Sequence, residues 1–279
     1  TGPRRWPGPS GAEPADPRAC RRVVQGCGGT VGAASYDAGM ESAGVARVAV
    51  EVPLANLNRP FDYLVTPDQA ADAVVGARVR VRFAGRQRGG FILERVAASE
   101  HADLLPLHAV VSPEPVLTPA VAELVRRVAD HYAGSFADVV RLAVPPRHGL
   151  TEKAVPPVHP VPDLTGTPAG SLAHYPGGPG LVRALAQGRA PRAAWTVVPR
   201  PDGAGDWMGG FLDAAAATLA AGRGALLLVP DATDLAGLAE RARLRFGAGS
   251  FVALAADAGP AARYRAFLAA LRGQVQLVL

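Results

Sequence analysis

The chain has 279 residues, 49% of them hydrophobic, and a formal charge of +5, which suits two or three folded domains. No apolar run approaches the roughly 18 residues that would span a bilayer, and no apolar h-region opens the chain. A soluble, cytoplasmic protein is expected. The positive charge is almost all arginine, since Lys153 is the only lysine. Two causes fit: the codon bias of a GC-rich genome, or a surface selected for phosphate, whose oxygens a guanidinium fork binds in pairs.

In chain order, residues 1–43 are rich in glycine, proline, alanine and arginine without hydrophobic periodicity, and a disordered tail is expected there. Its two cysteines, Cys20 and Cys27, have no second pair or histidine cluster nearby, so neither zinc nor a disulfide is expected. From Val45 the period becomes two: Val48, Val50 and Val52, then Phe61 to Val65, then Gly76 to Phe83, where Val79, Val81 and Phe83 alternate with Arg78, Arg80 and Arg82. A loop is expected over 84–90, a strand from Phe91 to Val96, and another over His108 to Val111. These strands predict a small antiparallel sheet or barrel over 44–112.

Thr118 suits a helix N-cap and Pro119 the first helical position, with apolar residues at helical spacing as far as Gly134. Ser135 starts a shorter helix that Pro145 and Pro146 end. The pair fits a winged-helix-like unit with its linker over 113–190, or an ordinary helical hairpin. Farther on, helices over 207–221, 235–246 and 260–271 alternate with apolar runs over 225–229, 251–255 and 274–279. That alternation predicts a parallel sheet over 191–279, incomplete where the chain stops within a strand.

One short stretch carries a chemical anomaly. In NRPFDYLV, residues 58–65, Phe61, Tyr63 and Val65 share one strand face, while Asp62 and Leu64 share the other. Aspartate is depleted in strands, so Asp62 requires solvent or a donor. Either it caps a turn after Pro60 beside two core aromatics, or it belongs to a binding pocket. Arg78, Arg80 and Arg82, about 6.5 Å apart along a strand, could meet successive phosphates, with Arg86 and Arg88 following. A solvated face explains them equally well.

The order of these parts, with RPFDYLV, GARVRVRFAGR, the helical segment from AVVSPEP to RLAVPP, RGALLLVPD and ARYRAFLAALRG, resembles the N-terminal half of the PriA family of primosomal replication-restart proteins. The resemblance spans roughly 45–279, is strongest over 45–150, and with the arginine content suggests an actinobacterial member. It implies a domain that captures the 3′ end of a nascent strand at a stalled fork, a winged helix on DNA, and helicase lobes. It implies a terminal-nucleotide pocket built with Phe61, Asp62, Tyr63 and Gly85. A family lysine near that pocket aligns with His108, a departure. Expected partners are forked DNA, primosome and helicase-loading proteins, and single-stranded-DNA-binding protein.

The resemblance also implies a phosphate loop, G-x-x-x-x-G-K-[ST]. Residues 193–210, AAWTVVPRPDGAGDWMGG, hold glycines but no lysine, and Asp202 and Asp206 add negative charge where phosphate would sit. Arg200 lies on the wrong side of the glycines. The family's acidic box and zinc cysteines do not occur in these 279 residues, and the six histidines lack ligand spacing. The expectation is a DNA-binding replication-restart protein with no catalytic residue, cofactor or metal of its own. An ATP-dependent helicase and a protein-interaction scaffold stay open.

Overall fold

The computed structural model describes residues 42–52, 58–165, 170–197, 206–255 and 257–279. The expected tail, with Cys20 and Cys27, lies outside them apart from its last two residues. Strands β1 (Val45–Val50), β2 (Phe61–Leu64), β3 (Arg78–Phe83), β4 (Arg86–Val96) and β5 (Ala109–Ser112) form an antiparallel sheet in the order β2-β1-β4-β3-β5. The sheet curls until its edges meet. Leu64 N donates to Leu105 O at 3.0 Å and Leu107 N to Leu64 O at 2.9 Å, so the segment leading into β5 pairs with β2 and closes a small barrel. Closure removes the unpaired edges that an open sheet would present.

The two-residue period decides what fills this barrel. Val48, Val50, Tyr63, Val79, Val81 and Ile92 turn inward and are buried together. Each such apolar side chain stabilises the fold by about 1.5–3 kcal/mol relative to exposure. The alternate residues face outward, Arg80 and Arg82 among them.

The loop expected over 84–90 is instead a two-residue turn, because β4 begins at Arg86, opposite Phe83. Ala84 and Gly85 both have positive φ, +48° and +75°, the geometry whose twist matches flanking strands in a two-residue hairpin. Gly89 and Gly90 read as loop signals but lie within the strand. A Cβ on Gly90 would meet Val48 Cγ1 at 2.7 Å, so this glycine marks a close approach of neighbouring strands.

Helix α1 (Pro119–His131) starts at Thr118, whose Oγ1 accepts from Val121 N, and α2 (Phe136–Ala143) starts at Ser135, whose Oγ accepts from Asp138 N. Their apolar faces cover the barrel exterior: Val125, Phe136 and Val140 pack with Ala49 and Phe91. A short helix, α3 (Gly149–Lys153), interrupts the proline-rich stretch. No strand occurs among the described residues between α2 and residue 197.

Helix α4 (Gly178–Ala186) precedes an α/β segment: α5 (Trp207–Ala220), β6 (Ala225–Leu226), α6 (Ala232–Phe246), β7 (Phe251–Val252), α7 (Pro260–Leu271) and β8 (Leu277–Val278). The strands are parallel in the order β6-β8-β7. Each is two residues long, shorter than its apolar run, because the ladder extends only where β8 lies between its neighbours. Tyr264 and Leu268 of α7 enter the same core as α1, α2 and Phe91.

That seam is also polar. The Glu152 carboxylate, 8% exposed, accepts from Arg147 Nη2 at 2.8 Å, Ser112 Oγ at 2.7 Å and Tyr264 Oη at 2.6 Å. Burial alone would raise its pKa, but the bonds from Arg147, Ser112 and Tyr264 lower it to about 2. The carboxylate therefore ties β5, α3 and α7 together as an anion.

Candidate nucleic-acid interface

Strand β2 places its four side chains by alternation. Tyr63 is buried in the barrel and its hydroxyl donates to Arg82 O at 3.2 Å. Burial pushes its pKa up to about 12, so it is a neutral donor at physiological pH. Phe61 is half-buried and meets the Phe83 ring edge-to-face at 4.8 Å, with the Arg59 guanidinium 5.2 Å from its own ring centroid.

Asp62 points to the barrel exterior, 13% exposed. The pairing Asp62–Arg47–Glu94 runs across β2, β1 and β4. Asp62 Oδ2 accepts from Ser99 Oγ at 2.5 Å, and Oδ1 lies 3.7 Å from Arg47 Nε. Two carboxylate oxygens offer about four acceptor positions, so these neighbours leave capacity for a further donor.

Two cavities meet at this residue. One, of about 340 Å³, opens at the barrel mouth between Arg59, Phe61, Arg82, Phe83, Leu104 and Asp62, with Tyr63 and Ala84 also on its wall. The other, of about 460 Å³, lies between Arg47, Leu93, Glu94 and Glu100. Pro60, Asp62 and His101 line both. The mouth cavity thus combines apolar ring surface, two guanidinium groups and two carboxylates, the partly satisfied Asp62 and Asp103. A nucleotide needs that mixture, since rings stack on a base, cations meet phosphate and a carboxylate accepts from base amino or imino groups.

The expected residues divide into those that meet and those that do not. Phe61, Asp62 and Tyr63 line the mouth cavity, and Gly85 is at the adjoining hairpin tip. His108 does not line it; its ring nitrogen lies 2.8 Å from Gln87 Nε2, and its backbone N donates to Arg80 O.

The arginine stripe is also uneven. Arg80 and Arg82 are exposed, with no side-chain partner among the described residues. Arg78 is turned into the helical seam, where Nη2 donates to Pro145 O at 2.5 Å and the guanidinium lies 4.8 Å from the Phe91 centroid. Burial pulls its pKa down. Phe91 is the cross-strand neighbour of Arg78, so the helices that cover Phe91 cover the arginine as well. Arg86 and Arg88 are on β4 rather than a loop, opposite Phe83 and Val81, and are exposed at the rim. They share the inward-facing side, so the five arginines do not form one row.

Several residues that line the cavities or bond Asp62 are not among those the sequence singles out as a site. Arg59 is adjacent to the aromatic pair and Phe83 completes the Val79–Val81 period, so both had a signal. Ser99, Arg47 and His101 had none, because only barrel closure and the β1 register bring them to Asp62.

Farther along, Asp206 caps α5. Its Oδ1 accepts from Gly209 N at 2.8 Å and from Arg241 Nη1 at 2.5 Å. Arg200 and Asp202 lie outside the described residues. No cluster of three or more His, Cys, Asp or Glu suited to a metal occurs among the described residues, and no described helix is long and apolar enough to cross a membrane.

Residues 47–145 match the 3′DNA-binding domain (3′BD) family of PriA. The chain is 46% identical over 226 residues to the probable replication restart protein PriA of Mycobacterium tuberculosis (strain CDC 1551 / Oshkosh), and to that of Mycobacterium bovis (strain ATCC BAA-935 / AF2122/97). Against the protein of the same name from Mycobacterium leprae (strain TN) it is 45% identical over 229 residues. Each alignment covers 80% of this chain and 34% of the relative. The chain spans about a third of the length of the curated relatives it matches.

Proposed function

Residues 47–145 belong to the PriA 3′DNA-binding domain family, in a chain related over most of its length to replication restart protein PriA, and from that premise we propose that it binds forked DNA through a free 3′ end. The barrel-mouth cavity carries this reading, because it falls within the matched residues and joins stacking rings, two guanidinium groups and the carboxylates of Asp62 and Asp103. The terminal base stacks on Phe61 or Phe83, worth about 1–3 kcal/mol per base. Asp62 accepts from the base edge. Arg59 and Arg82 take the phosphate, a role that His108, held beside Gln87, does not reach. Arg80, Arg86 and Arg88 supply backbone contacts along the exposed rim.

In the cell, this binding marks stalled forks and supports reloading of the replicative helicase, with primosome and helicase-loading proteins and single-stranded-DNA-binding protein as partners. The chain turns over no ATP by itself. A phosphate at the N-terminus of α5 would need its free amides, yet the Asp206 carboxylate already accepts from one and is paired with Arg241. Two cysteines in 279 residues are too few for a four-cysteine zinc site, so we assign no metal.

Asp62→Ala tests the pocket. It should weaken binding to forks with a free 3′ hydroxyl much more than to forks whose 3′ end is blocked. Equal losses on both substrates would remove Asp62 from the reading.

A further inference from the structure

We propose that Asn58 is a positioning residue for the 3′-end cavity, which it fastens to the start of α2. The proposal rests on the 3′-end reading above and names how that site is held in shape. Asn58 Oδ1 accepts two hydrogen bonds from distant parts of the chain: one from Phe136 N at 2.9 Å and one from Arg126 Nη1 at 3.0 Å. Phe136 N is among the amide donors that the first turn of any helix leaves without an intrahelical partner. Ser135 satisfies the amide of Asp138, and Asn58, 78 residues away, satisfies that of Phe136. Arg126 completes the node from α1, with its guanidinium 4.8 Å from the Phe136 centroid.

Only Arg59 and Pro60 separate this node from Phe61. Proline fixes its own φ and drives the preceding residue to extended backbone, so Arg59–Pro60 is a stiff lever. Arg59 lies over Phe61, and both form one wall of the cavity. Strand β2 has four residues, and among the described residues its N-terminal end pairs with β1 alone, Phe61 opposite Val48. Where Oδ1 is held, the Arg59–Phe61 wall is held.

The electrostatics suggest a discriminating variant. Oδ1 lies between a helix N-terminus and a guanidinium, both positive, so a carboxylate of the same size keeps both bonds. Asn58→Asp should therefore preserve the wall, although its added charge weakens all DNA binding alike. Asn58→Ala removes the acceptor, and Asn58→Gln keeps the amide but pushes it one methylene out of register.

The measurement is the ratio of dissociation constants for a 3′-blocked fork and a free 3′-hydroxyl fork, in which any uniform change cancels. For Asn58→Ala and Asn58→Gln that ratio should fall about tenfold toward one, equivalent to ~1.4 kcal/mol. For Asn58→Asp it should stay near the parent value. If Asn58→Ala is unfolded by circular dichroism, Asn58→Gln carries the comparison. A parental ratio in the folded Ala or Gln variant, or an Asp variant as poor as Ala, overturns the link. A parent ratio of one refutes the 3′-end reading itself and the link with it, an outcome distinct from a change seen only in the variants.

Discussion

Replacing Glu152 with glutamine should destabilise the protein in a way that disappears with acid. In the folded chain the Glu152 carboxylate accepts from Arg147, Ser112 and Tyr264, and its pKa falls from 4.5 to about 2. At 1.36 kcal/mol per unit, that difference is worth at most about 3 kcal/mol to the folded state at neutral pH. Because the folded pKa is depressed, the contribution is complete above 4.5 and is lost as pH falls toward about 2. Glutamine resembles the protonated acid, and its amide would face donors with a donor. Urea unfolding of both proteins should show a gap of up to about 3 kcal/mol at pH 7, narrowing by roughly 1 kcal/mol between pH 5.5 and 3.5. A gap that does not change with pH, or one below about 0.5 kcal/mol at pH 7, would refute the anionic tie between β5, α3 and α7.

Four further outcomes follow from the barrel, the arginines and the capped start of α5. Ala84→Asn creates the Asn-Gly pair that favours positive φ at both turn positions, and thermal unfolding should show a gain of about 0.5–1 kcal/mol; an unchanged melting temperature would contradict strain at Ala84. Replacing Arg80 and Arg82 with glutamine should weaken fork binding and reduce its log-log salt slope by about 1.4–1.8, two phosphate contacts' worth. Arg78→Gln should lower stability and leave that slope unchanged, and the reverse pattern would put Arg78 on the DNA. Titration with magnesium and ATP should show no saturable binding, whereas a micromolar dissociation constant would promote the helicase alternative.

Local periodicity made much of this architecture legible. The alternation of Val79 and Val81 with Arg80 and Arg82 reports a strand with one buried face wherever its neighbours lie. Thr118 and Ser135 announce helix starts because capping is a local interaction. Burial of Arg78 was illegible, since the helices that cover it are joined to β3 only by tertiary packing. Gly89 and Gly90 misled because glycine marks both loops and close strand contact. At the site, FDY is visible as an anomaly, yet Ser99, Arg47 and Asn58 reach it through register, closure and a contact spanning 78 residues. The helix α4 was hidden by its Gly-Pro-Gly opening, although proline near a helix start is compatible with the first turn.

The central claim is that the barrel mouth reads a free 3′ end. Its most direct test is a competition measurement with the unaltered protein, two forks of identical sequence and a fluorescent fork as reporter. One competitor ends in a 3′ hydroxyl at the junction and the other in a 3′ phosphate, whose extra charge and bulk the Asp62 side of the cavity opposes. The hydroxyl-ended fork should compete at a clearly lower concentration, and the preference should vanish in Asp62→Ala. Equal competition by the two forks would contradict the account.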